Sequence, residues 1–182
     1  TSSVQDVRGA AWSADDTIVF SPSFTGPLLA VPVSGGASRP ASQLPESGEI
    51  GTHRFPSFLP DGQRFVYFAA AATGTEPGSL YLGRIGTLDA RLLGPAHSSA
   101  VFAAPGYLVY ARGESLVAHA FDSRREELVG DPLPIGVPIG GSLSVSAGSS
   151  CRVTFQLVDG KVTRIGYSAS SDLPMSQNSA CA

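Results

Sequence analysis

The chain is short of charge, of cysteine and of long apolar runs. Charged residues make up 15% of it, which leaves little material for the solvated faces of a helical bundle. Gly (21) and Pro (14) punctuate the sequence throughout, and both are costly in helix interiors. No apolar run exceeds residues 65–72, far below the ~20 residues with which a helix crosses a bilayer. Basic residues do not outnumber acidic ones (12 against 15, formal net charge −3), so the electrostatic footprint of a nucleic-acid reader is missing. All but one of the basic residues are Arg, a trait of composition and not a site. The two cysteines, Cys151 and Cys181, form no Cys-x-x-Cys pair and have no His cluster beside them, so a zinc site is not expected. Two separate thiols and one disulfide both fit their spacing; a disulfide would imply an oxidising compartment.

What is present is a turn-rich, apolar chain of 182 residues, 42% hydrophobic. That is too apolar for disorder and enough for one domain or a run of small repeats. Residue 1 is Thr and no charged-then-apolar signal stretch follows, so a processed protein or a piece of a longer one is expected.

Self-similarity organises the rest. Ala11-Trp12-Ser13-Ala14-Asp15-Asp16-Thr17-Ile18-Val19-Phe20 aligns with Ser57-Phe58-Leu59-Pro60-Asp61-Gly62-Gln63-Arg64-Phe65-Val66-Tyr67. Each gives an aromatic residue, a short turn, then a β-rich run. Val101-Phe102-Ala103-Ala104-Pro105-Gly106-Tyr107-Leu108-Val109-Tyr110 is a third copy, and Leu143-Ser144-Val145-Ser146-Ala147-Gly148 a degenerate fourth start. The turns fall at positions 16, 62, 106 and 148, spacings of 46, 44 and 42. Further short β runs follow each turn: residues 27–33 and 38–40, 79–85 and 90–93, 115–121 and 133–135.

Four short strands per repeat of this length predict an all-β fold, a partial β-propeller of four-stranded antiparallel blades. One small sheet cannot cover both of its faces, so neighbouring sheets must bury one another. A β-sandwich would not require one turn at nearly constant spacing. Trp12, Phe58 and Phe102 are expected to pack between blades. Asp61-Gly62 suits the positive φ of a tight hairpin; Asp15-Asp16 suits it poorly. Residues 8–150 then hold about three blades and the possible start of a fourth. Residues 151–182 hold a hairpin (Val153 to Val158, Asp159-Gly160, Lys161 to Tyr167) and a polar tail, either the fourth blade or a separate small domain.

Pro56-Ser57-Phe58-Leu59-Pro60-Asp61-Gly62-Gln63-Arg64-Phe65-Val66-Tyr67 resembles the Pro-Asp-Gly motif of TolB-like, WD-repeat-like bacterial propellers. More narrowly, several phrases resemble the C-terminal propeller of bacterial transmembrane Ser/Thr protein kinases. They are Thr17-Ile18-Val19-Phe20-Ser21-Pro22, Ser34-Gly35-Gly36, His53-Arg54-Phe55-Pro56, Ala104-Pro105-Gly106-Tyr107-Leu108-Val109-Tyr110, and Ser115-Leu116-Val117-Ala118 with Ala120-Phe121-Asp122. The resemblance covers about residues 8 to 148. It implies a sensor or interaction module on the extracytoplasmic (periplasmic) side of a bacterial membrane, the segment itself making no membrane contact. The kinase motifs themselves are absent from this sequence.

A search for chemistry yields no catalytic, cofactor-binding or metal-binding residue. Ser144-Val145-Ser146-Ala147-Gly148 lacks the first Gly of a nucleophile elbow and has no helix to follow it. His53, His97 and His119 have no i, i+4 pairing. His119 reads as a hydrogen-bonded strand residue, and His53-Arg54 as a loop anchor with ligand contact at the propeller mouth as the alternative. Asp15, Asp16 and Asp61 read as turn residues. Glu126-Glu127 after Arg124-Arg125 reads as a solvated loop. No enzyme and no cofactor are therefore expected. The partner is a protein or small ligand at the propeller mouth, and no nucleic acid. The alternatives are the propeller portion of a prolyl-oligopeptidase-like peptidase and a free-standing periplasmic scaffold of the TolB kind.

Propellers close with typically about 4–8 blades. If the parent ring has more blades than this chain supplies, the isolated chain is an open arc with unpaired edges. It is then expected to self-associate unless residues 151–182 cap one end. Sedimentation at several concentrations checks this; a monomer with a sharp thermal transition would mean a closed unit.

Overall fold

The computed structural model describes residues 7–72, 77–136, 142–147, 151–158 and 161–169, with side chains in the first two stretches. The described residues form antiparallel sheets and no helix. The first sheet is β1 (Ala10–Trp12), β2 (Thr17–Phe20), β3 (Leu29–Pro32) and β4 (Arg39–Pro40). The second is β5 (Thr52–Phe58), β6 (Arg64–Ala70), β7 (Gly78–Arg84) and β8 (Ala90–Ala96). The third is β9 (Val101–Ala103), β10 (Tyr107–Arg112), β11 (Ser115–Asp122) and β12 (Glu127–Gly136). A three-stranded sheet follows: β13 (Ser142–Ala147), β14 (Cys151–Val158) and β15 (Lys161–Ala169). Its β13 pairs with β14, so the sheet takes strands from both sides of residue 150. In every sheet, strands adjacent in sequence are adjacent in space, the simple meander that short turns permit.

The blade pairing follows the repeat. Phe65, Val66 and Tyr67 sit opposite Gly83, Leu82 and Tyr81 on the neighbouring strand. Strand β6 is buried on both faces, and its period of two divides its side chains between two cores. Phe65, Tyr67 and Ala69 pack with Val19, Leu28, Ala30 and Ala41 of the first blade. Val66, Phe68 and Ala70 join Leu80 and Leu82, and Leu108, Tyr110, Val117 and Phe121 of the third blade. The middle blade is thus the filling between its neighbours.

The turns show why the repeat is spelled as it is. Asp61 Oδ1 accepts the N–H groups of Gln63 and Arg64, both at 2.9 Å, an Asx turn that fixes the β5–β6 hairpin. Gly62 has φ +68°, and a Cβ there would lie 3.0 Å from Ala14 Cβ in the first blade's own turn. Gln63 Nε2 donates to Asp15 across the same contact. The first turn departs from expectation: Asp16 takes the left-handed conformation, φ 54°, a state Asp tolerates because its short side chain bonds locally. Gly106, at the third turn, is outside that region.

Two expectations are corrected. Trp12 does not pack between blades; it is 56% exposed, because the alternation of β1 puts it on the exposed face with Ala10. Its indole N–H donates to Asp16 Oδ1 at 3.4 Å. Phe58 and Phe102 are partly buried, each against one of the two cores. Nor is Glu126-Glu127 a solvated loop. Glu127 opens β12, and Glu126 (φ 56°) accepts from Arg64 at 3.1 Å and from Arg84 at 3.0 Å. Arg64 also bonds Asp61 and the Ser123 carbonyl, so this cluster ties the second hairpin to the third blade. Burial works against the Asp61 carboxylate. The backbone N–H groups of Arg64 and Gln63 and the Arg64 guanidinium overcome it and hold the pKa below its ordinary value.

Gly62→Val is expected to destabilise the protein by about 1 kcal/mol or more, through a left-handed φ and a blocked contact with Ala14. Urea denaturation of the two proteins checks it; equal midpoints would show that the turn tolerates a side chain.

Candidate binding site on the first strand of the second blade

Strand β5 is held to the first blade by its backbone. The His53 N–H donates to the Gly26 carbonyl at 2.9 Å, the Gly26 N–H to Gly51 at 2.9 Å, and the Phe55 N–H to Arg8 at 2.7 Å. His53 and Arg54 lie in this strand, opposite Ala69 and Phe68 of β6, not in the loop expected from sequence, and both are buried. The loop expectation failed because the polar His53-Arg54 pair masks a strand that pairs with β6 of its own blade; the added contacts to the first blade have no local pattern. A bulge between Arg54 and Ser57 lets Phe55 turn to φ 50°. Gly9 is required opposite it: a Cβ there would sit 2.9 Å from the Phe55 Cα.

Successive strand residues point to opposite faces, so Thr52 and Arg54 share one side and His53 takes the other. On the first side, Thr52 Oγ1 donates to the Phe24 carbonyl at 2.9 Å and accepts from Arg54 Nε at 3.0 Å. The Arg54 guanidinium carbon lies 4.9 Å from the centre of the Phe24 ring, and that of Arg8 lies 4.6 Å from it. Arg54 is only 8% exposed, and its Nη2 is buried with no hydrogen-bond partner. Burial, then the nearby charge of Arg8, pull its pKa down from the ordinary value; a guanidinium nevertheless stays protonated. Phe24 is 36% exposed, and Phe55, the next residue after Arg54, is 39% exposed.

On the other side, the Ser42 hydroxyl lies 2.8 Å from His53 Nδ1, the spacing of a nucleophile and its base. Its surroundings give it a different use. Ser42 is 2% exposed, and its Oγ already accepts the Leu28 N–H at 2.8 Å. No hydrogen bond to a carboxylate orients the ring among the described residues. The pair is a tie between the end of the first blade and β5. The His53 ring stands 4.8 Å from that of Tyr67. Both line a cleft of about 460 Å³ whose rim carries Glu46 and Asp89. Burial lowers the His53 pKa to about 4, so the ring is neutral at pH 7. Burial, and secondarily Tyr81, push the Tyr67 phenol up.

The other sequence candidates are accounted for by backbone needs. His119 is buried in β11; its Nε2 lies 2.9 Å from the Gly130 carbonyl and therefore carries the proton. Nδ1 then accepts from the Tyr110 hydroxyl at 2.8 Å. His97 Nδ1 accepts the Gly113 N–H at 2.9 Å. Asp122 Oδ1 accepts from the Arg124 and Arg125 N–H groups, and Arg125 pairs with Glu127. Ser144, Val145, Ser146 and Ala147 lie on β13, while Gly148 falls outside the described residues. Cys151 opens β14, and Cys181 is outside the described residues. Among the described residues no group of three or more His, Cys, Asp or Glu could hold a metal ion. Reading the sequence alone passed over Arg8, Phe24, Phe55 and Ser42. The one available signal was an Arg inside the otherwise β-like string Thr52-His53-Arg54-Phe55.

The fold is that of a β-propeller segment. No protein-family model matches the sequence, and no curated protein matches it. Solved propellers do. TolB from Acinetobacter baumannii matches with a TM-score of 0.58 at 14% identity, over 90% of this chain and 40% of TolB. The β-propeller domain of the Trilobed protease from Pyrococcus furiosus, described as having an open velcro topology, matches with a TM-score of 0.51 at 14% identity. That match covers 82% of this chain and 49% of the other. The chain thus spans half or less of the propellers it resembles. A TolB-like propeller architecture is what they share with it.

The depressed His53 pKa makes stability depend on pH in a defined direction. Between about 4 and the ordinary 6.5, the unfolded state binds the proton and the folded state does not, so stability falls as pH drops through that window. The full loss is about 3 kcal/mol. Urea midpoints between pH 7 and 4.5 should fall more steeply in the parent than in His53→Asn. Parallel curves would mean that His53 accepts a proton in place.

Proposed function

We propose that the chain is a non-catalytic β-propeller segment of a larger bacterial protein, binding a protein or small ligand where β5 meets the first blade. The observation that carries this reading is the part-exposed aromatic ring of Phe24 lying over the buried charge of Arg54, one residue before the exposed Phe55. Aromatic and arginine side chains concentrate at recognition surfaces because they combine apolar area with directed hydrogen bonding. The ordered phrases resembling the propellers of transmembrane Ser/Thr kinases support an extracytoplasmic sensor attached to such a kinase. A second reading, the propeller portion of a prolyl-oligopeptidase-like peptidase, draws on the likeness to a protease's propeller domain; its nucleophile would lie in another domain. A free-standing scaffold of the TolB kind is the third. A kinase domain or a Ser-His-Asp hydrolase domain encoded beside this segment separates the first two.

Peptides selected by display on the full chain are expected to lose at least tenfold in affinity for Phe24→Ala and for Phe55→Asn. Asn accepts the left-handed backbone at position 55, so that variant removes the ring alone. Exposed Leu88→Ala, on the cleft side, serves as control. Equal binding to all three variants would overturn the assignment of the surface.

A further inference from the structure

We infer that the Arg54 corner is a receptor for a carboxylate, the recognised group being the C-terminal or acidic side-chain carboxylate of a peptide; this rests on the binding role proposed above. A buried charge is retained at a cost unless something pairs with it. Lysine or histidine in such a place can shed its proton, but arginine cannot. Among the described residues Arg54 has no acidic partner to offset the cost: its hydrogen bond is to Thr52 and its guanidinium lies over Phe24. Neither contact uses Nη2, which is buried and unpartnered. Arg8 brings a second guanidinium to the same ring.

The chemistry of the corner selects among anions. A guanidinium edge matches a planar carboxylate in a forked pair. A phosphate dianion asks for additional donors, and the nearest hydroxyl, Thr52 Oγ1, already donates to the Phe24 carbonyl. The part-exposed ring of Phe24, already against the guanidinium, gives the apolar body of an organic acid a place to lie. The acceptor is therefore an acid carried on an apolar or peptide frame, not a bare inorganic anion.

The test uses the full chain and four probes at constant ionic strength. They are N-acetyl-phenylalanine, N-acetyl-phenylalaninamide, an amidated short peptide with one internal Asp, and inorganic phosphate. N-acetyl-phenylalanine should raise the melting temperature and shift the Arg54 Nε–H resonance, with at least tenfold tighter binding than its amide. The Asp peptide separates side-chain from terminal recognition: binding by either acid-bearing probe supports the inference. Arg54→Met should be more stable than the parent in chloride and lose the response. Arg54→Lys, which keeps the charge but not the fork, should weaken binding at least tenfold. Equal binding of acid and amide, a response to phosphate alone, or an unchanged response in both variants would overturn it. If display-selected peptides bind through Phe24 and Phe55 with no need of a carboxylate, the binding role stands and this inference falls. If N-acetyl-phenylalanine binds while the ring variants leave peptide binding intact, the reverse holds.

Discussion

Everything in the described structure turns on one strand having no outside. Each side chain of β6 from Phe65 to Ala70 is buried, alternately toward the first blade and toward the third. A shift of register by one residue would send Phe65 and Tyr67 into the space shaped for Val66 and Phe68, and neither core would close. The strand is therefore specified twice over. Each large side chain involved contributes about 1.5–3 kcal/mol by burial, and the share covered by the first and third blades is not available to the middle blade alone.

That double burial explains which parts of the fold were legible. A strand without a solvent face reads as a continuous apolar run, as residues 65–70 do, and the turn before it must be spelled tightly because its Gly62 meets the preceding blade's turn at Ala14. Strand order and the adjacency of β6 and β7 followed from these cues. Contacts between blades did not. Glu126 finds Arg64 and Arg84 across the blade boundary, and no local period announces it. Trp12 and Phe58 occupy matching places in the repeat, yet one is exposed and the other covered, since the first and second blades have different neighbours. The site was less legible still. Arg54 was visible as a residue next to His53, but Arg8 and Phe24 reach it only through pairing of β5 with chain segments some thirty and forty-five residues earlier (separations read from the numbering).

The two sides of β5 show how the same strand serves stability and recognition differently. His53 faces inward, bonds Ser42 and stays neutral, so its polar atoms are accommodated within the packing. Arg54 faces the other way, keeps a charge it cannot discard and leaves part of its bonding capacity unused. A chain selected for stability alone would gain by replacing such a residue with an apolar one of similar size. The bulge at Phe55 belongs to the same pattern: a bulky residue held at positive φ is strain of the kind that concentrates at functional positions.

The consecutive order of the strands also bears on how the chain is made. The first blade is synthesised before β6 and can cover Phe65, Tyr67 and Ala69 as soon as they leave the ribosome. The opposite face, with Val66, Phe68, Leu80 and Leu82, must wait for Leu108 to Phe121 of the third blade. At ~5–20 residues per second, that wait is a matter of seconds for every copy produced. During it, the growing chain carries one of its central strand's two apolar faces uncovered.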